Sequence, residues 1–249
     1  MIRLKSPSEI ERLRTSGAKL GQVLHQVGAM VAPGVKTAEL DRAAERYIRE
    51  LGAIPAFLHY SGYPASLCVS VNEQVIHGIP SRRALKSGDV VSLDLGLIYD
   101  DYYADSAITV ACGTVTAEDE KLIETTRESL YAGIDAAVAG GRLGDIGYAV
   151  QRVAEGQGMS VVRDYVGHGV GKELHEDPEV PNYGKAGTGM VLKEGLVIAI
   201  EPMVNAGGSA VRVLDDGWTV VTVDGRKSAH FEHTIAITAQ GPVILTHQP

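Results

Sequence analysis

The chain has 249 residues with 45% hydrophobic content, enough to bury a full core as one large domain or two tightly fused halves. Its 31 acidic and 23 basic side chains leave a formal net charge of -8 without a block of like charges, which gives no electrostatic reason to expect a specific nucleic-acid partner. Cys68 and Cys112 form no CxxC pair, the opening segment has no apolar run of signal-peptide length, and no run approaches the roughly 18 apolar residues of a membrane span, so a cytoplasmic protein without a membrane role is expected.

Ser6-Pro7-Ser8-Glu9 is a capping box with proline at the first helical position. Ile10, Leu13, Gly17, Leu20, Leu24 and Val27 follow on one helical face, predicting a helix to about Val31 that stops at Pro33-Gly34. Thr37 can cap a second helix, with Leu40, Ala44, Tyr47 and Leu51 along one side and Gly52 at its end. Cys68 to Val71 reads as a short strand, and Val90 to Tyr99 and Tyr102 to Val110 as longer ones. In the first long strand Val91, Leu93 and Leu95 share one face, and Ser92, Asp94 and Gly96 the other. The midpoint between Asp94 and Asp105 falls between Tyr99 and Asp100, beside a polar turn at Asp100-Asp101. A hairpin with that centre predicts the two carboxylates directly opposite, with Cβ atoms about 4.5 to 5.5 Å apart. Ionised carboxylates so placed repel unless a cation lies between them, although a turn residue and a cap would also account for the pair.

The second half repeats the plan. Thr116 to Asp119 resembles a capping box ahead of Ile123, Leu130, Ile134 and Val138 at helical spacing, and Asp145 opens another helix ending near Gly158. Val31-Ala32-Pro33-Gly34 aligns with Val138-Ala139-Gly140-Gly141, so two similar halves, about 1–110 and 111–249, are expected within one catalytic domain, 1–249. Gly167-His168-Gly169-Val170-Gly171 surrounds a histidine with glycines that allow tight turning and leave its imidazole unhindered, and His175 follows seven residues later, too far for an HExxH helix. Leu196 to Ile200 is an apolar strand ending in Glu201-Pro202. Thr219 to Val223 and His230 to Thr238 are further strands, the latter placing Glu232 opposite Phe231, His233, Ile235 and Ile237. Taken singly, each glutamate reads first as a solvated strand-end acid. Together, Asp94, Asp105, His168, Glu201 and Glu232 make four carboxylates and one imidazole, a charge that balances two divalent cations and donors that suit manganese, iron, cobalt or zinc.

At these residues the whole chain resembles the type I methionine aminopeptidases, metallopeptidases of the M24 kind. The resemblance is carried by Tyr60-Ser61-Gly62-Tyr63-Pro64, Asn72 through Pro80, Asp94 with Asp105, Gly167 through Gly171, His175-Glu176, Glu201 through Asn205, Asp216-Gly217-Trp218 and Glu232-His233-Thr234. It implies the pseudo-two-fold "pita-bread" α/β fold, a curved, mostly antiparallel sheet covered by two pairs of helices. It also implies that the five residues above are ligands of two divalent ions, with Asp105 and Glu232 bridging, and that a metal-activated hydroxide attacks the first peptide bond to remove the initiator methionine of nascent polypeptides. By the same resemblance His175 stabilises the oxyanion, His77 contacts the scissile amide, Glu201 passes a proton to the leaving amine, and Phe57, Tyr60, Tyr63, Cys68, Leu174 and Trp218 surround the methionine side chain. Transient contact with the ribosome is a further implication. Two rivals share the fold: an Xaa-Pro aminopeptidase or prolidase, for whose extra N-terminal domain the chain has no room, and an inactive binding module, which would be expected to lack a ligand.

Overall fold

The structure, a computed structural model, describes residues 2–247. Helix α1 (Pro7–Gly28) opens on the capping box: the Ser6 hydroxyl accepts from the Glu9 amide at 3.3 Å, and the Glu9 carboxylate accepts from the Ser6 amide at 2.9 Å. It ends at Gly28 rather than near Val31, because the Met30 and Val31 amides turn back to the carbonyls of Val27 and Gly28. Helix α2 (Thr37–Glu50) has Lys36, not Thr37, at its N-cap. The Thr37 hydroxyl is committed elsewhere, accepting from the Ser81 amide at 2.8 Å, while Glu39 accepts from the Lys36 amide.

Next come β1 (Ile54–Pro55), a 3-10 turn at Tyr60–Gly62, β2 (Leu67–Val71), β3 (Gln74–Ile76), β4 (Asp89–Tyr99) and β5 (Tyr102–Cys112). Helix α3 (Ala117–Ala136) carries the expected Thr116–Asp119 capping box. Helix α4 (Leu143–Gly156) starts before Asp145, whose carboxylate accepts from the Arg142 amide at 2.7 Å. The remaining strands are β6 (Ser160–Val161), β7 (Gly167–Gly169), β8 (Glu176–Val180), β9 (Val197–Ile200), β10 (Met203–Asn205), β11 (Val211–Val213), β12 (Val220–Thr222), β13 (Ser228–His230), β14 (Glu232–Thr238) and β15 (Gly241–Ile244).

The main sheet runs β1, β4, β5, β14, β9, β7, β8, with β2 beside β4 and β15 beside β14, all antiparallel. Leu20, Leu24 and Val27 of α1, Leu130 of α3 and Ile146 of α4 form one buried core with Val91, Leu93, Leu95, Ile198, Ile200 and Ile235 of the sheet. Because side chains alternate across a strand, the face opposite these apolar residues receives Asp94, Asp105 and Glu232.

Two expectations about strands need correction. Asp100 and Asp101 both have positive φ, 50° and 66°, so they alone form a two-residue turn, and Tyr99 pairs with Tyr102. That shifts the hairpin centre by one position: Asp94 lies opposite Ala107 and Asp105 opposite Gly96, so the carboxylates share a face diagonally rather than standing directly opposite. Likewise His230 to Thr238 is not one strand. The Phe231 amide donates to the Pro202 carbonyl, and the chain passes there from the small sheet of β13, β10 and β6 into the main sheet. Among the described residues, no helix is long and apolar enough to cross a membrane.

Candidate metal centre

Every residue that the sequence singled out for ligation, catalysis or substrate contact lines one cavity of about 490 Å³. The β4–β5 hairpin supplies Asp94 and Asp105, β7 supplies His168, the end of β9 supplies Glu201, and the first position of β14 supplies Glu232. Donor atoms of Asp105, His168 and Glu232 lie within 4.8 Å of one another. His168 Nε2 is 3.7 Å from Asp105 Oδ2 and 3.5 Å from Glu201 Oε1. On the other side of its ring, Nδ1 donates to the Gly169 carbonyl at 2.9 Å, since a carbonyl can only accept. The proton is therefore fixed on Nδ1, and Nε2 presents a lone pair to the carboxylates.

The glycines around His168 serve close packing rather than turning, contrary to expectation. None of Gly167, Gly169 and Gly171 has positive φ. A Cβ at Gly167 would run into the Ala199 carbonyl of β9, one at Gly169 into the Asp177 carbonyl of β8, and one at Gly171 into the Glu176 carboxylate. Glu176 in turn accepts from the Lys172 amide at 2.9 Å and from the Lys5 ammonium at 2.6 Å, which pins the loop carrying His175.

Burial dominates the electrostatics. It pushes Asp94 up to about 7. Asp105, Glu201 and Glu232 are driven well above the ordinary carboxylate range, by burial first and then by the neighbouring acids. Burial, helped by His175, lowers His168 to about 4, so its imidazole is neutral. Oδ1 of Asp94, Oδ1 of Asp105 and Oε1 of Glu232 are buried without a hydrogen-bond partner. Acceptors facing acceptors, with no donor between them, match the requirement of a cation.

Above this floor, His175 Nδ1 lies 2.8 Å from the Tyr60 hydroxyl, and its ring packs edge-on against that of His168, with centroids 4.3 Å apart. His77 packs edge-on against Trp218 and Tyr165. Phe57, Tyr63, Cys68 and Leu174 form an apolar cluster with Trp218 packed against it, whereas Tyr60 is 37% exposed and stands at the mouth beside His175. The same cavity is lined by residues the sequence reading passed over, among them Ile76, Tyr165 and Glu179. Tyr165 lies three residues before the glycine-flanked His168, and that proximity was the available signal. His230 was also missed. No local pattern marks it, because the chain changes sheet at Phe231, and its Nε2 lies 3.7 Å from Glu201 Oε2.

Comparison with known proteins decides the family. The profile of metallopeptidase family M24 matches residues 11–239. The chain belongs to that family. Methionine aminopeptidase 1 of Bacillus subtilis is 51% identical over 246 residues, covering 99% of each chain, and the methionine aminopeptidase of Clostridium perfringens is 52% identical with the same coverage. A crystal structure of methionine aminopeptidase from Thermotoga maritima superposes with a TM-score of 0.98 at 46% identity, over 100% of both chains. This M24 protein is thus a peptidase hydrolase of the methionine aminopeptidase kind, and its curved antiparallel sheet with four helices is the pita-bread fold. An M24 metallopeptidase uses divalent metal, and the orphaned carboxylate oxygens and the bare His168 Nε2 are donors that fit it.

Proposed function

We propose that the chain removes the initiator methionine from nascent polypeptides in the cytoplasm, using two divalent ions held by Asp94, Asp105, His168, Glu201 and Glu232. The observation that carries this reading is the convergence of four carboxylates and one lone-pair imidazole, with three buried oxygens lacking any donor, on a single cavity floor. Four negative charges balance two divalent cations, and Asp105 and Glu232, whose donor atoms lie within 4.8 Å of one from His168, would hold them together with Asp94 and Glu201. Cobalt, manganese, iron and zinc all suit this donor set.

When bound, such a pair supplies an activated water and polarises the scissile carbonyl. The protein's own groups do the rest. The apolar wall of Phe57, Tyr63, Cys68, Leu174 and Trp218 takes the unbranched methionine side chain, with Tyr60 at its mouth. His175 donates to the carbonyl oxygen as negative charge develops there, and the Tyr60 hydroxyl on Nδ1 favours the proton at Nε2 that this requires. His77 contacts the scissile amide, and Glu201 carries a proton to the leaving amine. The whole of 1–249 acts as one catalytic unit built from two related halves, and contact with the ribosome delivers the substrate.

Two peptides test the assignment. Metal-loaded protein should release methionine from Met-Ala-Ser and leave Ala-Pro intact. Preferential cleavage of Ala-Pro would transfer the chain to the Xaa-Pro peptidases of the same fold, and cleavage of neither would make it an inactive relative.

A further inference from the structure

His230 is 1% exposed, and neither of its ring nitrogens has a hydrogen-bond partner. Its main chain is clamped at both ends by one buried hydroxyl: the His230 amide donates to Thr109 Oγ1 at 2.9 Å, and that hydroxyl donates to the His230 carbonyl at 2.7 Å. Thr109 lies on β5, the strand of Asp105, so the backbone from which the imidazole projects is tied to the floor of the site. The ring is aimed at Glu201, with Nε2 3.7 Å from Oε2, while the other oxygen, Oε1, faces His168 at 3.5 Å. One carboxylate is therefore held between two imidazoles, and they face it differently. His168 has its proton fixed on Nδ1 and presents a lone pair, whereas nothing binds the His230 proton on either nitrogen.

We propose that His230 is a positioning residue of the metal centre, donating its Nε2 proton to Glu201 Oε2 and so holding Oε1 turned toward the side occupied by His168 and the cations. A neutral imidazole has one proton to give, a carboxylate oxygen without a donor accepts it, and a shift of about 0.5 to 0.8 Å closes the gap to a normal hydrogen bond. Direct ligation fits less well, because the five proposed ligands all line the cavity and His230 is not among its lining residues. The inference rests on the reading of Glu201 as a ligand.

The experiment is calorimetric titration of the chelator-treated full chain with Mn2+, comparing wild type with His230→Leu, His230→Gln, His230→Asn and Glu201→Gln. Loss of a group that orients a ligand weakens metal binding by about 10- to 100-fold, and this is expected for His230→Leu and for His230→Asn, whose amide is too short to reach Oε2. His230→Gln keeps an N–H donor at similar reach and should restore affinity close to wild type. Thermal unfolding of the metal-free variants separates folding from binding, and if His230→Leu fails to fold, the Gln and Asn variants still decide. Wild-type affinity in His230→Leu or His230→Asn would overturn the proposal. Equal weakening in His230→Gln and His230→Asn would also overturn it, by assigning the nitrogen to the metal itself. Unchanged affinity in Glu201→Gln would overturn the underlying ligand reading instead.

Discussion

Asp105 stands opposite Gly96 in the hairpin and diagonal to Asp94, a placement that sets residues about 7 to 8 Å apart, with Cβ atoms somewhat closer, rather than at the shorter spacing of a direct pair. Diagonal placement suits carboxylates that serve two cations better than one shared between them. It also makes Gly96 a steric control point, because a Cβ there would lie 2.6 Å from Phe57 Cε1 and 3.2 Å from Ala56 Cβ. Gly96→Ala should push the Phe57 ring into the cavity, raising KM for Met-Ala-Ser roughly tenfold and costing about 1–3 kcal/mol of stability, with metal affinity little changed. An unaltered KM would count against Phe57 as part of the substrate wall.

Asp105→Asn is expected to act with opposite signs on the two forms of the protein. Burial first, and then Asp94, hold the carboxyl well above its ordinary range, so an amide, which needs no proton to be buried there, removes that cost from the metal-free state. Metal affinity and methionine release should fall by more than the ~100-fold that outer-layer partners carry, while the metal-free Tm holds or rises. Wild-type turnover in this variant would remove Asp105 from the ligand set.

The pH dependence of stability follows from the same crowding. Burial raises Asp94 from an ordinary 3.8 to about 7, and Asp105, Glu201 and Glu232 shift the same way. For such groups the metal-free fold is favoured fully below pH ~4 and loses that contribution as pH climbs through the folded pKa. Bound metal replaces the protons and reverses the trend. Buried His77, His168, His230 and His233, lowered to about 4, 4, 3 and 4, act with the opposite sign over the same range, so the acids are read in the difference between the two forms: the Tm gap between metal-loaded and chelated protein should widen from pH 4 to 7, measured by scanning calorimetry in matched buffers. A gap that stays constant or narrows over this window would contradict the account.

At the hairpin tip, Asp101 sits at φ 66°, a left-handed conformation that glycine adopts without strain. Asp101→Gly turns Asp100-Asp101 into the sequence preferred by two-residue hairpins of this kind and leaves the Arg12–Asp100 pair in place. Stabilisation by about 0.5–1 kcal/mol is expected, a Tm gain of roughly 1–4 °C at this chain length. A fall in Tm would argue against the turn.

Much of this architecture was legible from local chemistry. The Ser6–Glu9 and Thr116–Asp119 capping boxes start their helices where the sequence put them, and the alternation around Asp94 and Glu232 correctly turns both acids away from the core. Register was less legible, because it depends on turn geometry: the positive φ of both Asp100 and Asp101 moved the hairpin centre by one residue. Other features were written in no single segment. Gly167 and Gly169 are small because β9 and β8 pass against them, and the break at Phe231 is made by a carbonyl from Pro202, distant in sequence. His230 was hidden for that reason. Its burial beside Glu201 follows from pairing between β13 and β10, a long-range contact that periodicity does not encode.

Anomalous diffraction from crystals grown with Mn2+, and shown to release methionine from Met-Ala-Ser after dissolution, tests the central claim most directly. The account predicts two ions roughly 3.5 to 4 Å apart, coordinated by Asp94, Asp105, His168, Glu201 and Glu232. A single ion, or ions bound away from these side chains in active crystals, would contradict it.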